Sequence, residues 1–109
     1  MSKWTLRKRI EIAGAHSLRL NYDSPCKNVH GHNWIVIVEC EAESLDQNGM
    51  VIDFKNISGI VNQLDHQNLN EFMVQPTAEF MARWICQKIP FCVRVTVQES
   101  EGSIVTYEQ

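Results

Sequence analysis

The sequence predicts an α+β domain: a four-stranded antiparallel sheet with two helices on one face. Three observations predict it. Two strand-like runs open the chain, two short runs of alternating apolar residues close it, and two stripes of helical period stand between them. At 109 residues the chain forms one domain, 1–109, that buries roughly two-thirds of the surface its unfolded form exposes.

The first strand runs from Trp4 to Ala13, with Leu6, Ile10 and Ile12 on one parity and Arg7, Arg9 and Glu11 on the other; only Lys8 breaks the alternation. From Ser17 to Lys27 the pattern lapses, and Asn21, Asp23, Ser24 and Pro25 read as a loop. A second strand spans about Gly31 to Ala42, dense in β-branched residues. His30, His32, Trp34, Val36 and Val38 share a face if it starts early. After a turn at Gln47–Gly49, Asp53 caps a helix whose buried stripe is Phe54, Ile57, Val61 and Leu64. That helix runs out at Asp65–His66. Pro76–Thr77 opens the second helix, with Glu79 in its first turn and a buried face of Phe80 or Met81, Trp84, Ile85 and Ile89; Pro90 ends it. The third strand, Phe91 to Glu99, aligns Val93, Val95, Val97 and Glu99, and Glu101–Gly102 turns into the last, Ser103 to Tyr107. The sheet's second face carries apolar residues of the Trp34 or Ile35 class, which predicts oligomerisation by sheet contacts.

Apolar content of 44% and charged content of 21% are those of an ordinary globular protein. A net charge of -3 with no Lys/Arg-rich stretch argues against a general nucleic-acid binder, and no apolar run is long enough to span a membrane. Cys26, Cys40, Cys86 and Cys92 form no CxxC pair and no signal peptide is read ahead of them, so a reduced, cytoplasmic setting with free thiols or ligands is expected. Cys40, Cys86 and Cys92 fall in strand or helix patterns and read as packing residues.

Three of the four histidines lie between residues 16 and 32. On an extended strand His30 and His32 project to one side, and His16 joins them if the loop 17–29 returns the second strand beside the first. Three neutral imidazoles with an open fourth position describe a catalytic zinc site. Cys26 has two roles open to it: a fourth ligand that closes a structural site, or a thiolate near the metal that moves protons. Asp65 and His66 stand in an order that lets a carboxylate orient an imidazole, or simply end a helix. Glu99 shares a face with valines and needs a specific partner. Arg7 or Arg9 would be a structural partner, and an amidine-like ring edge a functional one.

Together, Gly14–Leu18 (GAHSL), Cys26–Asn33 (CKNVHGHN), Met50–Phe54 (MVIDF), Leu64–Asn70 (LDHQNLN), Pro76–Glu79 (PTAE) and Val97–Glu99 (VQE) resemble the 6-pyruvoyl-tetrahydropterin synthase family, including its bacterial 6-carboxy-tetrahydropterin synthase branch. The resemblance covers nearly the whole chain and is most specific in the C-x3-HGHN block. It implies a tunnelling fold whose subunits assemble as trimers closing into a β-barrel, two trimers stacking as a homohexamer with active sites at subunit interfaces. It further implies His16, His30 and His32 as zinc ligands, Cys26 as the acid/base thiol, Asp65 and His66 as its relay partners, and Glu99 as the pterin anchor. Thr77 and Glu79 belong to the family's PTxE block near the pocket, while the local sequence supports only a capping role.

The implied substrate is 7,8-dihydroneopterin triphosphate. The implied reaction in the carboxy branch, which the short chain and early HGHN block resemble, yields 6-carboxy-5,6,7,8-tetrahydropterin, acetaldehyde and triphosphate on the way to queuosine; the pyruvoyl branch eliminates triphosphate from the same substrate. An interaction module stabilised by zinc, with Cys26 as fourth ligand, is the reading from another class. The chain departs from the family pattern at Ala13–Ser17, where an aromatic before the small residues and an arginine after the histidine are usual. With no Walker-type loop, Lys27, Arg19 or a neighbour's basic residue would meet the triphosphate.

Overall fold

The computed structural model describes residues 2–109. Strand β1 (Trp4–His16) pairs antiparallel with β2 (His30–Ala42) along their full lengths, from Trp4 opposite Ala42 to His16 opposite His30. Helix α1 (Phe54–Val61) follows, then the two-residue strand β3 (Gln67–Asn68), helix α2 (Ala78–Lys88), and the antiparallel pair β4 (Cys92–Ser100) and β5 (Ser103–Glu108). The sheet order is β3-β1-β2-β4-β5.

The even positions of β1 and β2 face the core as their alternation dictates: Ile10, Ile12, Trp34, Val36, Val38 and Cys40 are buried. Against them pack Ile57 and Val61 of α1, Leu64 beyond its end, and Met81, Ala82 and Ile85 of α2 with Ile89. Asp53 caps α1 by accepting from the Lys55 N–H at 2.8 Å, and Thr77 caps α2 by accepting from the Phe80 N–H at 3.2 Å. The predicted stripes pack into the core apart from their first positions. Phe54 is exposed, where Lys8 reaches over its ring, and Met81 rather than Phe80 takes the buried position.

The structure corrects the expected sheet in three places. It has a fifth strand: β3 lies parallel to β1 with Gly14 opposite Gln67, so the chain that leaves the helical turn at Asp65 and His66, where the helix was expected to run out, leads at once into a strand. Trp34 belongs to the core, and the second sheet face carries half-buried Ile35 and Ile37 among charges, with Arg94 bridging Glu39 at 3.3 Å and Glu108 at 2.9 Å. A bulge at Val93 flips the parity of β4, which buries Cys92 instead of Val93.

A second bulge positions the site. Gln98 pairs with Ile104 and Ser100 with Ser103, so Glu99 has no partner across the ladder and its side chain is freed toward the core face at the His16 end of the sheet.

Candidate metal centre and ligand pocket

His16 ends β1 and His30 begins β2 directly opposite it, with His32 one pleat further on. One ring nitrogen from each lies within 4.8 Å of the other two. His16 and His30 ring centroids are 4.5 Å apart, and His32 sits 5.1 and 5.0 Å from them. The Trp34 ring closes the base of the cluster, 5.1 Å from both His16 and His32.

Hydrogen bonds fix how the imidazoles present themselves. His16 Nδ1 donates to the Pro76 carbonyl at 2.7 Å and His30 Nδ1 to the Asn28 carbonyl at 2.7 Å, which leaves each Nε2 as a bare acceptor. His16 Nε2 and His32 Nε2 are buried and have no hydrogen-bond partner. Buried polar atoms are rarely left so, and two orphaned ring nitrogens converging with a third imidazole fit a divalent cation of zinc's preference. Burial holds the His16 imidazole below its ordinary value, against the raising effect of its bond to Pro76, so it stays neutral and able to ligate at pH 7.

Glu99 stands at the mouth of this cluster, with Oε1 3.6 Å from His16 Nε2 and 3.7 Å from His32 Nε2. Neither arginine expected as a structural partner reaches it; Arg7 faces Glu39 instead at 3.8 Å. Glu99 also lines a cavity of about 360 Å³ with Leu18, Thr77, Glu79 and Ile104, so carboxylates, a hydroxyl and apolar walls meet beside the imidazoles. The capping role expected of Thr77 holds, and the cavity adds a position at the pocket wall for both Thr77 and Glu79. Their neighbourhood to Glu99 depends on a contact between α2 and the β4–β5 turn that local pattern does not encode.

Cys26 lies in a 3-10 turn, Pro25–Lys27, capped by the Ser24 side chain, which accepts from the Cys26 N–H at 3.2 Å. It is half-buried and stands outside the three-histidine cluster, so the closed site with a fourth cysteine ligand is not formed. The other three cysteines are buried free thiols, as packing residues should be. Asp65 is fixed to β1: its Oδ1 accepts from the Ala13 N–H at 2.8 Å, while Oδ2 lies 3.6 Å from His66 Nε2. His66 adopts a left-handed backbone (φ 58°) held by its own N–H donating to the Ala13 carbonyl at 2.6 Å, and its ring is open to solvent. No hydrogen bond joins the Cys26 thiol to this pair within one chain. Lys27 is engaged with Asp23 at 3.7 Å, and the structure assigns no cation to a phosphate.

The model of the family described as 6-pyruvoyl tetrahydropterin synthase matches residues 5–109. A putative 6-carboxy-5,6,7,8-tetrahydropterin synthase of Pyrococcus horikoshii is 47% identical over 57 residues, 52% of this chain and 36% of that protein, so the match spans about a third of its length. A dihydroneopterin monophosphate aldolase of Pyrococcus furiosus is 35% identical over 85 residues, 74% of this chain and 70% of that one. The 6-pyruvoyl tetrahydropterin synthase structure of Caenorhabditis elegans superposes with a TM-score of 0.78 at 24% identity, over 100% of this chain and 97% of the other, which identifies the fold as the tunnelling fold. With an architecture, a histidine cluster and a full-length motif pattern in agreement, the chain belongs to the 6-pyruvoyl tetrahydropterin synthase family.

Proposed function

We propose that the chain is a zinc-dependent lyase that converts 7,8-dihydroneopterin triphosphate to 6-carboxy-5,6,7,8-tetrahydropterin, acetaldehyde and triphosphate, a step toward queuosine. The observation that carries this reading is Glu99, which lines the cavity and stands 3.6 and 3.7 Å from the two orphaned imidazole nitrogens of His16 and His32. The Pyrococcus horikoshii relative, named for this activity, supports the branch.

His16, His30 and His32 would hold zinc, with Pro76 and Asn28 fixing two of the rings. Bound there, zinc would polarise the oxygens of the substrate side chain and acidify hydrogens on the adjacent carbons. Glu99 accepts hydrogen bonds from the amidine-like edge of the pterin, and the small, partly apolar cavity bounds the ring. Cys26 exchanges protons with the side-chain carbons, and Asp65 with His66 relays them. The zinc-dependent subunit acts as a homohexamer in which that relay serves a neighbouring copy.

A second reading has an observation of its own: the Pyrococcus furiosus relative, matched over most of this chain, is named an aldolase of dihydroneopterin monophosphate. Retro-aldol cleavage begins instead by removing the proton of a side-chain hydroxyl; the bond between the two side-chain carbons then breaks to release the aldehyde, and the carbon left on the pterin takes up a proton, so the same proton-transfer groups would serve it. Mass analysis of products from the zinc-loaded protein separates the readings. With the triphosphate, 6-carboxy-tetrahydropterin plus acetaldehyde supports the proposal, and a pyruvoyl product without acetaldehyde moves the chain to the other branch. Cleavage of the monophosphate to a hydroxymethyl pterin, with no turnover of the triphosphate, overturns the lyase reading in favour of the aldolase.

A further inference from the structure

The segment between β1 and the Cys26 turn has no backbone partner along its outer edge, yet its polar groups are paired. Two side-chain amides supply what a strand would. Asn70 accepts from the Ser17 N–H at 2.9 Å and donates to the Ser17 carbonyl at 3.0 Å; Gln75 accepts from the Arg19 N–H at 2.8 Å and donates to the Arg19 carbonyl at 2.8 Å. A carboxamide carries one acceptor beside a donor, as a peptide group does, and so can stand in for a neighbouring strand. Asn70 keeps the register of the β3 ladder, in which Gly14 faces Gln67 and Ala15 faces Asn68, although the backbone at Leu69–Glu71 has already turned into a 3-10 helix.

In an extended chain successive residues direct their N–H and C=O groups to opposite sides. With Ser17 and Arg19 pinned outward, Leu18 points inward, and its N–H donates to the Cys26 carbonyl at 2.9 Å. The residue after Gln75 is Pro76, whose carbonyl accepts from His16 Nδ1. We propose that Asn70 and Gln75 are positioning residues for the Cys26 thiol: their amides hold residues 17–19 extended, and Leu18 thereby fixes the cysteine turn relative to the histidine cluster. The catalytic consequence rests on the lyase reading of Cys26; the mechanical linkage does not.

The test uses Asn70→Leu, Gln75→Met and the double variant in the full-length, zinc-loaded protein, since these side chains keep bulk and lose the paired bonds. Amide exchange at Leu18 should accelerate about tenfold or more in the double variant, and alkylation of Cys26 by iodoacetamide roughly threefold, because opening of a locally held segment governs both. Zinc content should stay at that of the unaltered protein, and kcat should fall with KM nearly unchanged. Gln75→Glu, which keeps the acceptor for Arg19, should restore part of the Leu18 protection and of kcat. Exchange confined to Ser17 and Arg19, with Leu18 and Cys26 unaffected, would overturn the linkage; loss of zinc would assign the clamp to His16 instead. Should the unaltered protein turn over no pterin, the function fails while exchange and alkylation still judge the clamp. If the double variant does not fold, the single variants carry the same readouts.

Discussion

Glu99 shows how one residue's meaning changes between pattern and structure. Its place after three valines of one parity marks it as a carboxylate in need of a partner, but the bulge that frees it and the imidazoles that it faces come from separate strands. In the anchoring role proposed for it, it would make charge-assisted hydrogen bonds to the pterin, worth roughly 1.5–3 kcal/mol each. Glu99→Ala should therefore keep zinc and weaken pterin binding roughly 10- to 100-fold; calorimetry with a non-reacting pterin measures it, and an unchanged Kd would remove the anchoring role. The cysteines separate in the same way. Burial pushes the Cys86 thiol up to about 12, and the bond between Cys92 and Cys40 raises the former and lowers the latter, deep in the core. Because Cys40, Cys86 and Cys92 are all buried, iodoacetamide at pH 8 should modify Cys26 alone in the folded protein, the other three reacting only after denaturation. Modification of any of these three in the native fold, seen by peptide mass mapping, would contradict their burial.

At the scale of elements, what was legible in the sequence was whatever repeats with a period. The alternation of Val95 and Val97 in β4, the even face of β2 and the Ile57, Val61 and Leu64 stripe of α1 were all readable, because side-chain direction along one strand or helix is set by local geometry, whereas the bulge that turns Val93 out of line was not. So was the histidine cluster, once β2 was taken to return beside β1, and the structure places His30 opposite His16. Strand β3 was not readable, since two residues carry no period, and its existence depends on Gly14. A Cβ at Gly14 would lie 3.0 Å from the Gln67 carbonyl oxygen and 3.2 Å from the Trp34 ring. The glycine in the GAHSL block is therefore what lets β3 and Trp34 approach β1 at once. Gly14→Ala must push one of them away, costing about 1–3 kcal/mol as overpacking does. Thermal unfolding should show the loss, and the amide of His66, bonded to Ala13 beside this contact, should exchange faster. A variant as stable as the parent, with His66 still protected, would mean that the strand pair has slack the geometry does not show.

The whole molecule is longer than its residue count suggests. Its radius of gyration is 15.1 Å and it extends 51 × 25 × 24 Å, whereas a compact chain of this length has a radius of about 13 Å. The excess follows from two 13-residue strands paired end to end. Their second face mixes half-buried isoleucines with ion pairs, and the sheet leaves β5 and the very short β3 as edges. Closing several such sheets into a barrel removes the edges and covers that face, as proposed for the hexamer. In that assembly the solvent-facing His66, held in a left-handed backbone and unbonded to Cys26 of its own chain, would serve the Cys26 of a neighbour. Co-expression of Cys26→Ala with His66→Ala distinguishes the two arrangements. Each variant alone should be inactive. If the thiol and the relay come from different subunits, a mixed assembly regains sites that combine an intact cysteine with an intact histidine, about a quarter of the total when subunits mix at random. If both come from one chain, no mixed site is complete and activity stays at the level of the single variants, which would return the relay to its own subunit and leave the exposed His66 without a catalytic part.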